Sequence, residues 1–280
     1  MTLIIADTTS SLPPDLTTQL GIPVIPQIVN FGDQSFRDDT ELTTAEFLSK
    51  LRSSTALPKT AAPPPNLYQP LFERAARDGE TAIVVAPSAK VSGTVRSAEI
   101  ARQDFPNADI RVIDTQTIAG SLGGLVLIAH EMARQGCPPD QIVDELNRLI
   151  PNTRTYFLVD TLEYLQRGGR IGAAKALLGG LLQVKPILQI RDGQAEAYVQ
   201  ERTKKRATVR LIEITCEQLC GNPHGHLCVM HIDAEDEAES VRAELTARLG
   251  IPDIPIYLLP PAIVTHVGPK ALATGFIAGS

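Results

Sequence analysis

Up to about residue 150, short continuous apolar runs alternate with longer segments whose apolar positions recur every three or four residues. Leu3–Ala6 reads as a short buried strand, and Thr81–Ala86 and Ile110–Ile113 read as strands. Between them, helical periodicity predicts segments from Pro13 to Leu20, from Thr43 or Thr44 to about Ser53, over 66–78 and over 91–104. The set Leu122, Leu125, Val126, Ala129, Met132 and Ala133 predicts a long helix, and Pro138 opens another to about Ile150. Ile22 to Phe31 reads as one strand interrupted by Pro23 and Pro26. Leu57 to Pro65 holds four prolines in nine residues and is expected to be irregular. Alternation of strand and helix points to a parallel sheet covered on both faces.

The pattern changes after Pro151. Ile187–Ile190, the turn Arg191-Asp192-Gly193 and Ala195–Gln200 predict a β-hairpin. A helix from Thr203 to Leu219, a strand over 227–232, a helix from Glu235 to Leu249 and a strand over 254–259 follow. These suit a mixed or antiparallel sheet with helices on one face. The expected fold class is therefore α/β with two α/β domains, 1–150 and 151–280.

The run VDTLEYLQRGGRI, Val159 to Ile171, ends a buried strand at Val159 and starts a helix that Asp160 or Thr161 caps. Leu162 and Leu165 share one helix face, and Gly168-Gly169 stop it. Arg167 and Arg170 flank the stop. Fixed positive charge beside an apolar surface suits an amphiphilic anion.

Net charge is −6, which argues against binding nucleic acid through a broad basic surface. One local basic run exists, with Arg202, Lys204, Lys205, Arg206 and Arg210 within nine residues. Trp is absent and aromatics make up 4%, so base stacking is not expected. No secretory signal and no stretch of membrane-spanning length is visible, and the expected location is cytoplasmic.

Several groups of residues are candidates for chemistry. Thr60 lies in the proline-rich loop, and Ser92 sits where the helix after strand 81–86 is expected to start. Ligands in open α/β sheets sit beyond the C-terminal strand ends, and a helix N-terminus there favours an anion. Ser92 read alone is equally a helix cap. His266, between an apolar run and Gly268-Pro269, has the chemistry to bond a carboxylate or phosphate, or a backbone carbonyl. His224, His226, Cys228 and His231 are ligand types, but alternation puts Cys228 and His231 on opposite faces, and no metal is expected. Cys216 and Cys220, at i and i+4, fit core packing. Ala119-x-Ser121-x-Gly123 resembles a nucleophile elbow, but Asp114 to Thr117 separate it from its strand. Close helix packing is the simpler reading. Asp38, Asp39 and Glu41 are expected in a solvated loop.

Taken together, IIADTTSSLPPDL, PKTAAPP, SAKVSGTVRSA, VIDTQTIAGSLG, VDTLEYLQRGGRI, VKPIL, ERTKKRA and THVGPKALATGF resemble the DegV family over essentially the whole chain. These are bacterial fatty-acid-binding proteins that include the FakB subunits of fatty acid kinase. The resemblance implies one fatty acid buried between two α/β domains, with no other cofactor and no catalytic turnover. It implies that Thr60, Ser92 and His266 hydrogen-bond the carboxylate and that Arg170 lies near the tunnel mouth. It implies a separate FakA-like kinase that makes acyl-phosphate. Arg202, Lys205 and Arg206 match a surface expected to meet that kinase or anionic membrane. The sequence departs from the family pattern at Ala61, where a hydroxyl is usual, at Ala89 for serine, and at Lys270 for glycine. Two rivals remain: an esterase or thioesterase using Ser121 or Ser92 with His266, and a pure partner or membrane-surface adaptor using the basic run.

Overall fold

A computed structural model describes the whole chain except residues 1, 55, 179–183, 220, 221, 223, 224 and 280. In chain order the strands are β1 (Thr2–Asp7), β2 (Val24–Ile25), β3 (Ile28–Phe31), β4 (Gln34–Arg37), β5 (Lys59–Ala61), β6 (Thr81–Ala86) and β7 (Ile110–Asp114). They continue with β8 (Thr153–Leu158), β9 (Lys185–Arg191), β10 (Gln194–Glu201), β11 (Cys228–His231), β12 (Ile256–Leu258) and β13 (Leu272–Ile277). The α-helices are α1 (Pro14–Leu20), α2 (Thr44–Ser53), α3 (Gln69–Asp78), α4 (Thr94–Arg102) and α5 (Gly120–Arg134). After these come α6 (Pro139–Leu149), α7 (Glu163–Arg167), α8 (Lys204–Leu219), α9 (Glu235–Leu249) and α10 (Pro261–Val267).

Strands β2, β1, β6 and β7 form a wholly parallel sheet in that order. Period-two alternation sends successive residues to opposite faces. Ile4, Ala6, Ile83 and Val85 pack with Leu122, Leu125 and Val126 of α5 and Ile142 and Leu146 of α6. Leu3, Ile5, Ala82 and Val84 pack with Phe72 and Ala75 of α3 and Ala98 and Ala101 of α4. Both faces are therefore dry, which explains the unbroken apolar runs.

The second sheet runs β10-β9-β8-β13-β11-β12 and is antiparallel except where β11 meets β12. Asp192 and Gly193 both have positive φ in the two-residue turn joining β9 and β10, the backbone that matches strand twist. Tyr156, Leu158, Ile187, Leu272 and Phe276 face α8 and α9. Phe157, Leu188, Ala195 and Ala273 face the other way, into a cluster shared with α2, α7 and α10.

Helix α5 is wedged between the sheets. Side chains at Gly120 and Gly275 would overlap Cys228 Sγ and the Ser121 backbone, so both glycines permit the close approach. The Ser121 hydroxyl is fully buried and donates to the Arg154 carbonyl at 2.5 Å. The close-packing reading of this segment therefore holds.

Four sequence expectations are corrected. The proline-rich segment contains β5, which pairs with β3 in a small antiparallel sheet β4-β3-β5. Three residues between prolines suffice for an edge strand that needs few donors. The interrupted strand over 22–31 is split, with β2 in the parallel sheet and β3 in the small one. Helix α4 begins at Thr94 rather than at Val91. At the C-terminus α10 and β13 went unassigned; β13 is an interior strand of the six-stranded sheet. Its residues Leu-Ala-Thr-Gly-Phe-Ile mix strand formers with Ala and Gly, and register against two neighbours decides the conformation.

Candidate functional site

An apolar cavity lies on the side of the six-stranded sheet that α8 and α9 leave uncovered. Phe157, Ile190, Ala195 and Ala273 of that sheet line it, together with Leu165, Leu259, Ile263, Val267 and Ile118. Thr9, Gln27, Thr60, Ser92, Arg170 and His266 supply most of its polar wall.

Each polar residue is placed by a different local device. Thr60 stands on β5 opposite Val29 of β3, so strand pairing aims it. Ser92 lies just ahead of α4, where its Oγ accepts from Thr94 N at 3.3 Å and meets Thr94 Oγ1 at 2.8 Å. The two loops touch: a side chain on Gly93 would meet Ala62 Cβ at 3.1 Å. His266 sits in the last turn of α10, and its Nε2 lies 2.7 Å from Thr60 Oγ1.

The Gly168-Gly169 stop does two jobs. Gly169 takes the left-handed conformation, φ +69°, that ends α7, and Arg170 N closes onto Leu165 O at 3.0 Å. Gly168 has ordinary φ; what it lacks is a Cβ, which would overlap His266 Nδ1. Thr161 Oγ1 accepts from Glu163 N at 3.2 Å ahead of this helix. Arg170 then turns inward: its Nε donates to Val91 O at 3.1 Å and its Nη1 to Gly168 O at 2.7 Å. Arg167 stays outside, paired with Glu163 at 3.0 Å.

The electrostatics of this wall are specific. Burial and the Arg170 charge push His266 down to about 4, so its ring is neutral at pH 7. Its Nδ1 is buried with no hydrogen-bond partner among the described residues. Arg170 has no carboxylate partner among them and is the only charged side chain of the described lining. A guanidinium bonded only to carbonyls keeps its field for an incoming anion.

Sequence reasoning missed Thr9 and Gln27, and misplaced Asp38. Gln27 Nε2 donates to Asp7 Oδ2 at 2.5 Å and to Thr94 Oγ1 at 2.9 Å. Asp38 is buried, not solvated: it accepts from Thr8 Oγ1 at 2.9 Å, Gln27 N at 2.8 Å and the Ala262 backbone N–H. It thus ties the segment before β3 to the start of α10. Burial raises Asp38 to about 7 and Asp7 to about 6. The signal for Asp7 was present, since an acid ending a fully apolar strand must find donors nearby. Asp39 and Glu41 are exposed, as expected.

Other candidates separate from the cavity. His226 precedes β11 with φ +47°, so strand alternation does not extend to it. His224 and Cys220 lie outside the described residues. Among those described, no group of three or more His, Cys, Asp or Glu is placed to hold a metal ion. Arg202, Lys205 and Arg206 are exposed at the start of α8 and form no ion pair among the described residues, whereas Lys204 pairs with Glu237 and Arg210 with Glu213. Lys270 is exposed with φ +59°, a backbone conformation that favours glycine. No helix among the described residues is long and apolar enough to cross a membrane.

Solved structures share this architecture across the whole chain. A DegV family protein from Thermus thermophilus, described as binding fatty acid, superposes with a TM-score of 0.91 at 33% identity, covering 99% of both chains. DegV from Bacillus subtilis, described as a fatty acid binding protein, gives 0.87 at 30% identity and 99% of both chains. A DegV domain-containing protein of Streptomyces coelicolor is 37% identical over 274 residues, 96% of this chain and 95% of the relative. The family model described as an uncharacterised protein of the DegV family matches residues 1–279, and this chain belongs to the DegV family.

Proposed function

We propose that this protein buries one long-chain fatty acid, with the carboxylate at Thr60, Ser92, His266 and Arg170 and the hydrocarbon against Phe157, Ile190, Ala195, Ile263 and Ala273. The observation that carries this reading is an apolar cavity in whose described lining the only charged residue is an arginine with no carboxylate partner among the described residues. Burial contributes about 0.8 kcal/mol per methylene, so a chain of about sixteen carbons gains roughly 10 kcal/mol before ordering costs. The carboxylate leaves water only if hydroxyl and guanidinium donors replace its hydration. Both relatives of known structure named above are described as binding fatty acid, which supports the reading.

The cargo then goes to a separate FakA-like kinase, which phosphorylates the acyl carboxyl with ATP. The family resemblance and the cations Arg202, Lys205 and Arg206, which form no ion pair among the described residues, support a docking surface there for the kinase or for anionic membrane. The protein works in the cytoplasm and has no turnover of its own. Two α/β domains, 1–150 and 151–280, hold the ligand between them; the switch from parallel to mixed sheet across Pro151 supports that division. An esterase has less support. Ser121 is bonded to backbone, and no carboxylate among the described residues orients His266 Nδ1.

Native mass spectrometry followed by ligand extraction tests the reading. A bound fatty acid is expected, with occupancy reduced in Ser92→Ala and His266→Ala variants that remain folded. A protein that carries no lipid and takes up none refutes it. Acyl-phosphate is expected only when the protein, a fatty acid kinase and ATP are combined.

A further inference from the structure

Hydrogen positions along the polar wall follow from counting donors. Asp7 is fully buried, and every hydrogen-bond partner of its carboxylate is neutral. Oδ1 accepts from Thr9 N at 3.1 Å and Thr9 Oγ1 at 2.6 Å. Oδ2 accepts from Gln27 Nε2 at 2.5 Å and lies 3.3 Å from Thr94 Oγ1. An ionised carboxylate only accepts, so the Gln27 amide must present its NH2 there. The second hydrogen of that NH2 goes to Thr94 Oγ1 at 2.9 Å.

Thr94 Oγ1 is thus an acceptor from behind, and its own hydrogen has two destinations. Ser92 Oγ at 2.8 Å is much the better placed. Ser92 Oγ then accepts from both Thr94 N and Thr94 Oγ1. Its own hydrogen is left for the cavity.

The Thr60 side repeats the logic. His266 Nδ1 is sealed against Gly168, where a proton would be a buried donor without an acceptor. The neutral ring therefore keeps its proton on Nε2 and donates it to Thr60 Oγ1, leaving the Thr60 hydrogen free as well. Two hydroxyls reach the cavity as donors, each supplied from behind, and chains of such bonds polarise one another.

We propose that Asp7, Gln27 and Thr94 are positioning residues that orient Ser92 as a donor, so that the cavity selects a carboxylate over a neutral head group of the same chain length. This deepens the fatty-acid reading and rests on it. The anionic Asp7 stays tolerable near a second carboxylate because three donors, Thr9 N, Thr9 Oγ1 and Gln27 Nε2, converge on it and dipoles separate the two.

The test measures binding of hexadecanoate and of 1-hexadecanol to delipidated protein, for wild type, Thr94→Val, Thr94→Ser and Asp7→Asn. Wild type is expected to prefer hexadecanoate. Thr94→Val should lose about tenfold in hexadecanoate affinity, the size of one hydrogen bond to a charged group, with hexadecanol unchanged. Thr94→Ser should restore the preference. Asp7→Asn, which frees the Gln27 amide to turn over, should also lower it and covers the case in which Thr94→Val does not fold. Equal weakening of both ligands, or of neither, in the folded variants overturns the relay. A wild-type protein that binds neither ligand overturns the fatty-acid reading and the relay with it. A preference that survives in Thr94→Val and Asp7→Asn removes the relay alone.

Discussion

The two faces of the six-stranded sheet carry residues of very different size. Toward α8 and α9, the central strands present Tyr156, Leu158, Leu272 and Phe276, all at most 4% exposed and interlocked with Leu211, Val241 and Leu245. Toward the cavity, the same strands and β10 present Phe157, Ala273 and Ala195, and Gly275 makes room for α5. Thr274 on the first face bonds Thr215 of α8 at 2.9 Å, so even its polar groups are consumed internally. On the second face the polar groups end at Thr60, Ser92 and Arg170, with bonding capacity left over. Identical backbone registers thus yield a packed core on one side and a receptor on the other. The side chains decide which is which, because large ones fill the space and small ones leave it.

That contrast breaks most visibly at Phe276. Phe276→Ala should cost about 3–5 kcal/mol in denaturant unfolding, because the helix-covered face cannot collapse onto the gap. Lipid occupancy at low denaturant should be unchanged. A loss of ligand without a loss of stability would dissolve the distinction between the faces.

Next in size is pH. Asp38, on the cavity side, has its folded value raised to about 7 from an ordinary carboxylate value of 3.8. A raised acid contributes stability that is present at low pH and lost as pH rises through the folded value. Going from pH 8 to pH 5, wild type should therefore gain up to about 3 kcal/mol relative to Asp38→Asn. A difference between the two that does not change with pH would show that Asp38 is ionised throughout.

Ala273→Leu should fill the cavity, abolish lipid retention and cost about 1–3 kcal/mol from overpacking. Retention of a full-length acyl chain in that variant would move the hydrocarbon elsewhere. Smallest in stability is Arg206→Glu, within about 0.5 kcal/mol by thermal unfolding because the residue is exposed and forms no ion pair among the described residues. Its acyl-phosphate yield with a kinase should nonetheless fall, and an unchanged yield would remove the basic run from the docking surface.

Much of this architecture was legible along the chain. The inner strands β1 and β6 of the parallel sheet carry continuous apolar runs, and Glu235–Leu249 was read to the residue. The capping box of Thr43 and Glu46 is a local motif that needs no tertiary context. Thr60, Ser92, Arg170 and His266 were also named, though largely through whole-chain resemblance. Local chemistry left Ser92 as a plausible cap and His266 as an ordinary buried ring.

What the amino-acid order settled by itself was periodicity, because alternation at two or near 3.6 residues is set by backbone geometry. Only the tertiary structure decided the rest. It made β13 an interior strand despite a weak local signal, buried Asp38 and turned Gly168 into the seat of an imidazole. It also joined Asp7, Gln27, Thr94 and Ser92 into one chain of bonds. Those residues lie as far apart as 87 positions, and a hydrogen bond is a relation in space that no local pattern encodes.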